Sequence, residues 1–414
     1  MKKLNVTSET GRLRRVIVHT PGPEVEAMRP SAAEEDLYND IIPMDLVMRE
    51  HAELKGFLGK VAEVHELRDI LTETLAESGQ RQFLARQLAD FYQAAHRYDE
   101  LAAMPATELC NAAICGLPAR HIRLEDYLTG RGFDIKPLPN MYFMRDAAMV
   151  YRDRSIASAM RFPVRRPESF IHRMIFEHHP DFRGSGKLID GPALADGVFS
   201  IEGGDFQVLG KNMLAIGVSE RTSASGIDAI TKAIVESWKE PVTIFAVMLP
   251  IARATIHLDM VFTVIDRDAC LVFAPVITGH TRARVVRIDA APGREAVLSE
   301  EDSLLSGLKK AGMDLQPVFT GGDNPVHAER EQWMSGANSF SFAPGKILMY
   351  ACNKRTAEAL DKSGFSLKHA RDFLQGKDNP DDYKRLVVGF DGVELARGGG
   401  GARCMTCPIE REDL

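Results

Sequence analysis

A recurring motif sets the tightest limit on how this chain can fold: a lone Asp or Asn, a short apolar strand, a polar turn, and a second apolar strand. Asp146 opens Ala-Ala-Met-Val-Tyr, turns at Arg152-Asp153-Arg154 and returns through Ser-Ile-Ala-Ser-Ala. Asp205 opens Phe-Gln-Val-Leu, turns at Gly210-Lys211-Asn212 and returns through Met-Leu-Ala-Ile. Asp259 leads Met-Val-Phe-Thr-Val, a turn at Asp266-Arg267-Asp268, and Ala-Cys-Leu-Val-Phe. Asn338 leads Ser-Phe-Ser-Phe, a turn at Pro344-Gly345-Lys346, and Ile-Leu-Met-Tyr. Apolar runs of this length bounded by turn formers predict β-hairpins. Arg15-Val-Ile-Val-His-Thr carries a weaker signal for a fifth unit. Helical patches intervene; Ile227, Ile230, Ile234 and Val235 fall on one face between Gly226 and Trp238. Hairpins alternating with helices at intervals above roughly fifty residues predict a repeat-built α/β fold.

One stretch departs from the pattern. From Glu73 to Leu128 there is no strand signal, and Leu84, Leu88, Phe91, Tyr92 and Ala95 follow helical spacing. The expected organisation is an α/β catalytic domain over 1–72 and 129–414, interrupted by an all-helical bundle over 73–128.

Bulk properties narrow the function classes. A net charge of -7 over 414 residues argues against a general nucleic-acid or anionic-membrane surface. The opening Met1–Thr7 carries two lysines but no apolar core, so no secretory signal is expected there. The most apolar run, Val242 to Ile251, contains a proline, is too short to span a bilayer, and reads as a buried strand. Six scattered cysteines without a secretory signal predict free thiols in a reducing cytoplasm.

The chemistry concentrates at a few positions. Cys404 follows the glycine run Gly398–Gly401, where small residues let a ligand approach a thiol. Asp146 and Asp259 each lead a hairpin and can aim carboxylates at a shared centre. His257 and Asp259 are two apart; on a strand they would face the same cavity. Glu202, in Ile201-Glu-Gly-Gly-Asp205, sits on a glycine-flanked turn where it can orient His257. A nucleophilic sulfur, an imidazole and several carboxylates suit a planar cationic carbon such as that of a guanidinium, which carboxylates grip through paired, charge-assisted bonds. Taken singly, each residue also has a bland reading: an inert thiol, a core histidine, a turn cap. Cys404 and Cys407 have no second Cys-x-x-Cys to complete a zinc site, and no Gly-Lys-Ser/Thr follows the glycines to make a phosphate loop.

Taken jointly, the motifs resemble arginine deiminase, a guanidino-modifying enzyme of the pentein superfamily. The resemblance runs from Glu9-Thr-Gly-Arg-Leu-Arg-Arg through Leu138-Pro-Asn-Met-Tyr-Phe-Met-Arg-Asp, Phe162-Pro-Val-Arg-Arg, Ile201-Glu-Gly-Gly-Asp and Gly217-Val-Ser-Glu-Arg-Thr-Ser. It continues through Ile256-His-Leu-Asp-Met-Val-Phe-Thr, Arg330-Glu-Gln-Trp and Cys404-Met-Thr-Cys-Pro. It implies a pseudo-fivefold α/β propeller with a helical insertion. It also implies hydrolysis of L-arginine to citrulline and ammonia, no metal or organic cofactor, and a homo-oligomer, dimer or tetramer. Under the resemblance Cys404 is the nucleophile, His257 and Glu202 move protons, and Asp146 and Asp259 hold the guanidinium. Arg165 and Arg221 match the arginines that take the α-carboxylate, with Asn140, Phe143, Asp205 and Arg397 as further substrate contacts. The alternatives are an amidinotransferase or a hydrolase of another guanidine, and a non-catalytic arginine-binding protein. One departure stands out: many members carry an arginine five residues before the cysteine, where this chain has Gly399, with arginines nearby only at Arg397 and Arg403.

Overall fold

The computed structural model describes residues 3–38, 40–120, 124–129, 132–194 and 199–414. All four Asp- or Asn-led hairpins are present. Ala148–Tyr151 pairs antiparallel with Arg154–Ala157, Phe206–Gly210 with Met213–Val218, Phe262–Val264 with Ala269–Val272, and Phe340–Ala343 with Lys346–Tyr350. In each unit the second hairpin strand then pairs parallel with a later one. These later strands are Gly186–Asp190, Val242–Met248, Gln316–Phe319 and Leu386–Phe390 respectively. A parallel pair needs a crossover of a dozen or more residues. Helices supply it: Arg166–His178, Ala224–Trp238, Leu304–Lys310 and Lys354–Lys362 lie within these connections.

The fifth unit has the same plan but is assembled from both chain ends. Cys407–Arg411 pairs antiparallel with Leu13–Val18, which runs parallel to Glu63–Glu66 after the crossover helix Met44–Val61. This explains the weak signal around Arg15. Its hairpin partner lies almost four hundred residues away, so no local turn marks it. The unit also places Cys404 just ahead of its leading strand, the position held elsewhere by Asp146, Asp205, Asp259 and Asn338.

Helix Ala224–Trp238 illustrates how sequence sets an element. The Ser223 hydroxyl accepts from the Gly226 N–H at its start, and Lys239 ends it in the left-handed region at φ 53°. Ile227, Ile230 and Ile234 are buried as their spacing requires, while Val235 is only half-buried. Each buried isoleucine contributes about 1.5–3 kcal/mol over exposure, so Ile230→Asp would undo the packing of this face. The run at Val242 is the central strand of a five-stranded sheet.

Two local expectations are corrected. His257 and Asp259 do not lie on a strand: Leu258–Met260 is a 3₁₀ turn, and the strand begins at Phe262. The N–H of Leu258 goes to Asp205 Oδ1 at 2.9 Å and that of Asp259 to Gly204 O at 3.1 Å, so neither is available to a ladder. Within 73–128, helices Ser78–Phe91, Tyr98–Ala103 and Ala106–Cys115 appear as expected, but Leu117–Pro118 forms a short ladder with Phe133–Ile135. Leu84, Leu88, Leu101 and Leu109 share one core with Met149, Ile156 and Ile216 of the sheets. Residues 121–123 of this stretch lie outside the described residues. Among the described residues, no helix is long and apolar enough to cross a membrane. All six cysteines are free thiols.

Candidate active site

A cavity of about 400 Å³ opens above Cys404, lined by Asn140, Phe143, Asp146, Arg165, Arg221, Arg253, His257 and Gly398–Gly400 among others. The glycine run does not bare the thiol to solvent, since Cys404 is only 3% exposed at the cavity floor. Instead the glycines allow close packing around it. A Cβ on Gly400 would sit 2.4 Å from the Phe143 ring, and one on Gly401 2.7 Å from Asn338. Asn338 fixes the nucleophile loop: its Oδ1 accepts from the N–H groups of Arg403 and Cys404 at 3.0 and 3.1 Å, and its Nδ2 donates to Cys404 Sγ at 3.2 Å.

Carboxylates and imidazole converge on this thiol. Asp259 Oδ2 lies 3.7 Å from Sγ. His257 Nε2 is 3.0 Å from Glu202 Oε2, and its Nδ1 is 3.6 Å from Asp146 Oδ1. Burial disfavours the imidazolium, but the Asp146, Glu202 and Asp205 carboxylates outweigh it and raise His257 to about 9. Burial likewise opposes the Glu202 charge, yet Arg221 and His257 hold that carboxyl down at about 2. Burial and the fields of Asp259 and Asp146 push the Cys404 thiol well above its ordinary range. At neutral pH the resting pair is therefore thiol and imidazolium.

The arginines differ sharply. Arg165 is fully committed. Its Nη1 donates to Asp146 Oδ2 at 2.6 Å, its Nε and Nη2 to Glu168, and Nη2 also to the carbonyls of Asn140 and Phe143. Arg221 stacks over Phe162 with 4.7 Å to the ring centroid, and its buried Nε and Nη1 make no hydrogen bond. Nη1 does lie 3.5 Å from Glu202 Oε2, an ion pair without hydrogen-bond geometry. Asp146 Oδ1 and His257 Nδ1 are also buried without hydrogen-bond partners.

Asp205 and Arg397, expected as substrate contacts, do not line the cavity. Asp205 is fully buried behind His257, accepting from Ser219 Oγ at 2.6 Å and from the Leu258 N–H. Arg397 turns outward, pinned by Asp40 at 2.6 Å and Glu394 at 2.5 Å. Arg403 is buried, bonding Asp259 Oδ2 at 2.9 Å and Glu9 at 3.1 Å. Glu202 and Asp259 touch the reactive groups from behind rather than lining the opening. Asn338, Glu168, Glu9 and Arg253 escaped the sequence reading. For Asn338 a signal was present, because it leads a hairpin as Asp146 and Asp259 do, and Glu9 opens a matched motif; Glu168 and Arg253 carry none.

Comparison with known proteins decides the family. A family model for arginine deiminase matches residues 35–411. This chain belongs to the arginine deiminase family. The arginine deiminase of Treponema denticola is 33% identical over 438 residues, covering 100% of both chains. That of Lactococcus lactis subsp. cremoris is 32% identical over 435 residues, covering 99% of both. The fold of this chain is shared with more distant enzymes. SxtG, an amidinotransferase from Microseira wollei, superposes with a TM-score of 0.56 at 15% identity over 99% of this chain and 98% of its own. The N-terminal domain of ArgZ, covalently bound to a reaction intermediate, gives 0.53 at 12% identity over 96% and 98%. These likenesses place the chain in the pentein-like α/β class.

Proposed function

We propose that this member of the arginine deiminase family hydrolyses L-arginine to L-citrulline and ammonia through a covalent Cys404 intermediate. The observation that carries the reading is the set of buried polar atoms without hydrogen-bond partners around one thiol. Asp146 Oδ1 is an acceptor suited to a guanidinium, and Arg221 Nε and Nη1 are donors suited to a carboxylate. Together they match the two ends of arginine.

The chemistry follows from the electrostatics. A carboxylate 3.7 Å from Sγ opposes the thiolate by about 4 kcal/mol at an effective dielectric constant near 20. A guanidinium bound by Asp146 and Asp259 cancels that field, so the substrate itself promotes ionisation of Cys404, whose proton passes to solvent. The thiolate adds to the guanidinium carbon, forming a C–S bond. His257, charged at rest, gives its proton to the departing nitrogen, and the C–N bond breaks to release ammonia. The neutral imidazole then takes a proton from water as its oxygen attacks the thiouronium carbon. The C–S bond breaks, returning the thiolate, and the remaining hydroxyl proton is lost to solvent or back to the sulfur to leave citrulline. Glu202 holds His257 in place and favours its charged form, and Arg165 positions Asp146.

The proposal extends to closure of the five units into a pseudo-fivefold propeller around Cys404, with 73–128 as an insertion in a catalytic domain of 1–72 and 129–414. It also extends to assembly as a homodimer or homotetramer and to a cytoplasmic site of action. The direct test is stoichiometric citrulline and ammonia from L-arginine, with Cys404→Ala as control. Turnover by a correctly folded Cys404→Ala protein would sink the mechanism.

A further inference from the structure

The fourth hairpin is led by an amide where three other units put acids. Asp146, Asp205 and Asp259 precede their strands as carboxyl side chains, and Asn338 precedes Phe340–Ala343. Asn338 is only 1% exposed and uses both ends of its side chain. Oδ1 accepts from the N–H groups of Arg403 and Cys404 at 3.0 and 3.1 Å. Nδ2 donates to Cys404 Sγ at 3.2 Å and to Asp259 O at 3.3 Å. The acceptor and donor sites of the amide are thus all taken. Reversing it would set N–H against N–H and oxygen against sulfur, so its orientation is fixed. The backbone that carries it is anchored on both sides. Thr263 Oγ1 donates to Ala337 O at 2.8 Å and lies 2.9 Å from Ser339 Oγ. Gly401 lets the nucleophile loop close on the amide, since a Cβ there would meet Asn338 Cβ, O and Oδ1 at 2.7 Å.

We infer that Asn338 is a catalytic residue whose Nδ2–H stabilises the Cys404 thiolate, both when it forms for attack and when it departs from the substrate carbon. This rests on the reading of Cys404 as the nucleophile. Asp259 Oδ2, 3.7 Å from Sγ, opposes a negative charge on the sulfur. A hydrogen bond donated to the charged form favours it, so the amide acts in the opposite sense. A carboxylate at position 338 would instead add to the opposing field, which gives a physical reason for the amide at this lead position. As the S–C bond forms, charge leaves the sulfur and the Nδ2–H···S bond weakens. When that bond breaks, its electron pair returns to sulfur and the hydrogen bond is restored. A donor held in place beforehand meets this returning charge without reorganisation.

Labelling separates thiol reactivity from turnover. Chloroacetamidine is a small planar cation. The sulfur displaces its chloride, the thiol proton goes to solvent, and mass spectrometry locates the adduct on Cys404. Against the unmodified enzyme, Asn338→Ala should move the alkaline rise of labelling up by about one pH unit or more. At about pH 7.5 its kcat for L-arginine should fall about thirtyfold or more, with KM within about threefold. Asn338→Asp keeps an acceptor oxygen for the loop and carries the test if Asn338→Ala does not fold. Its losses should deepen between about pH 5.5 and about pH 8.5, as the new carboxyl ionises and can no longer donate. An unchanged labelling profile in folded Asn338→Ala overturns the assignment and leaves Asn338 a loop anchor only. So does a folded Asn338→Asp enzyme that matches the unmodified one across that range. If the unmodified enzyme takes the label yet releases no citrulline, the reaction is rejected, while the labelling comparison still reads Asn338.

Discussion

Glu202→Gln isolates one carboxylate from the cluster that charges His257. In the folded protein this imidazole rises from 6.5 to about 9, which corresponds to roughly 3 kcal/mol in favour of the charged form. Glu202 lies 3.0 Å from Nε2, where a unit charge contributes about 5 kcal/mol at an effective dielectric constant near 20. This single partner exceeds the whole net rise, because burial works against it. Removing the charge while keeping an isosteric amide should return His257 to its ordinary range or below. The proton needed for ammonia departure is then missing above neutrality. With saturating arginine, the alkaline limb of kcat should fall by about two pH units, with about a tenfold loss at pH 7.5. Because thiol and imidazole titrate as a coupled pair, the limb is read as a shift between variants. Stability gives a second readout. A raised imidazole stabilises the fold fully below pH 6.5, and that contribution is lost as pH rises through about 9. The unmodified protein should therefore lose resistance to urea over this window, and Glu202→Gln should lose much of that dependence. An alkaline limb that stays put in a well-folded variant would refute the assignment of His257 as the proton donor.

Two other perturbations probe different parts of the site. Arg403→Met strips the buried partner from Glu9 and Asp259 at once and should destabilise the protein by about 3–5 kcal/mol in urea unfolding, with near-complete loss of turnover; a loss below about 1 kcal/mol would show that the network is not structural. Arg221→Ala should raise KM for L-arginine at least tenfold while changing agmatine far less, and parallel losses would break its link to the carboxylate.

Much of this protein was legible in its sequence because the repeat is local. A hairpin is specified by neighbouring residues, so Asp146, Asp205, Asp259 and Asn338 could be placed at strand starts from apolar runs and turns alone. The resemblance of the motifs brought Cys404, His257 and Glu202 together, and the structure sets them among Asp146 and Asp259 within hydrogen-bond or near-contact distances. What escaped depends on distance along the chain. The fifth unit exists only when Cys407–Arg411 meets Leu13–Val18, and that pairing puts a cysteine where its sister units put acids or amide. The partners of each charge were also hidden. Arg165 spends its donors on Asp146 and Glu168, Arg403 spans Glu9 and Asp259, and Arg397 faces out while Arg253 faces in. Sequence determined which ionisable groups the chain carries and the local elements that hold them. Tertiary structure decided which groups share low-dielectric space. That choice sets their protonation, because the energy of a buried charge depends on neighbours a few ångströms away rather than a few residues away.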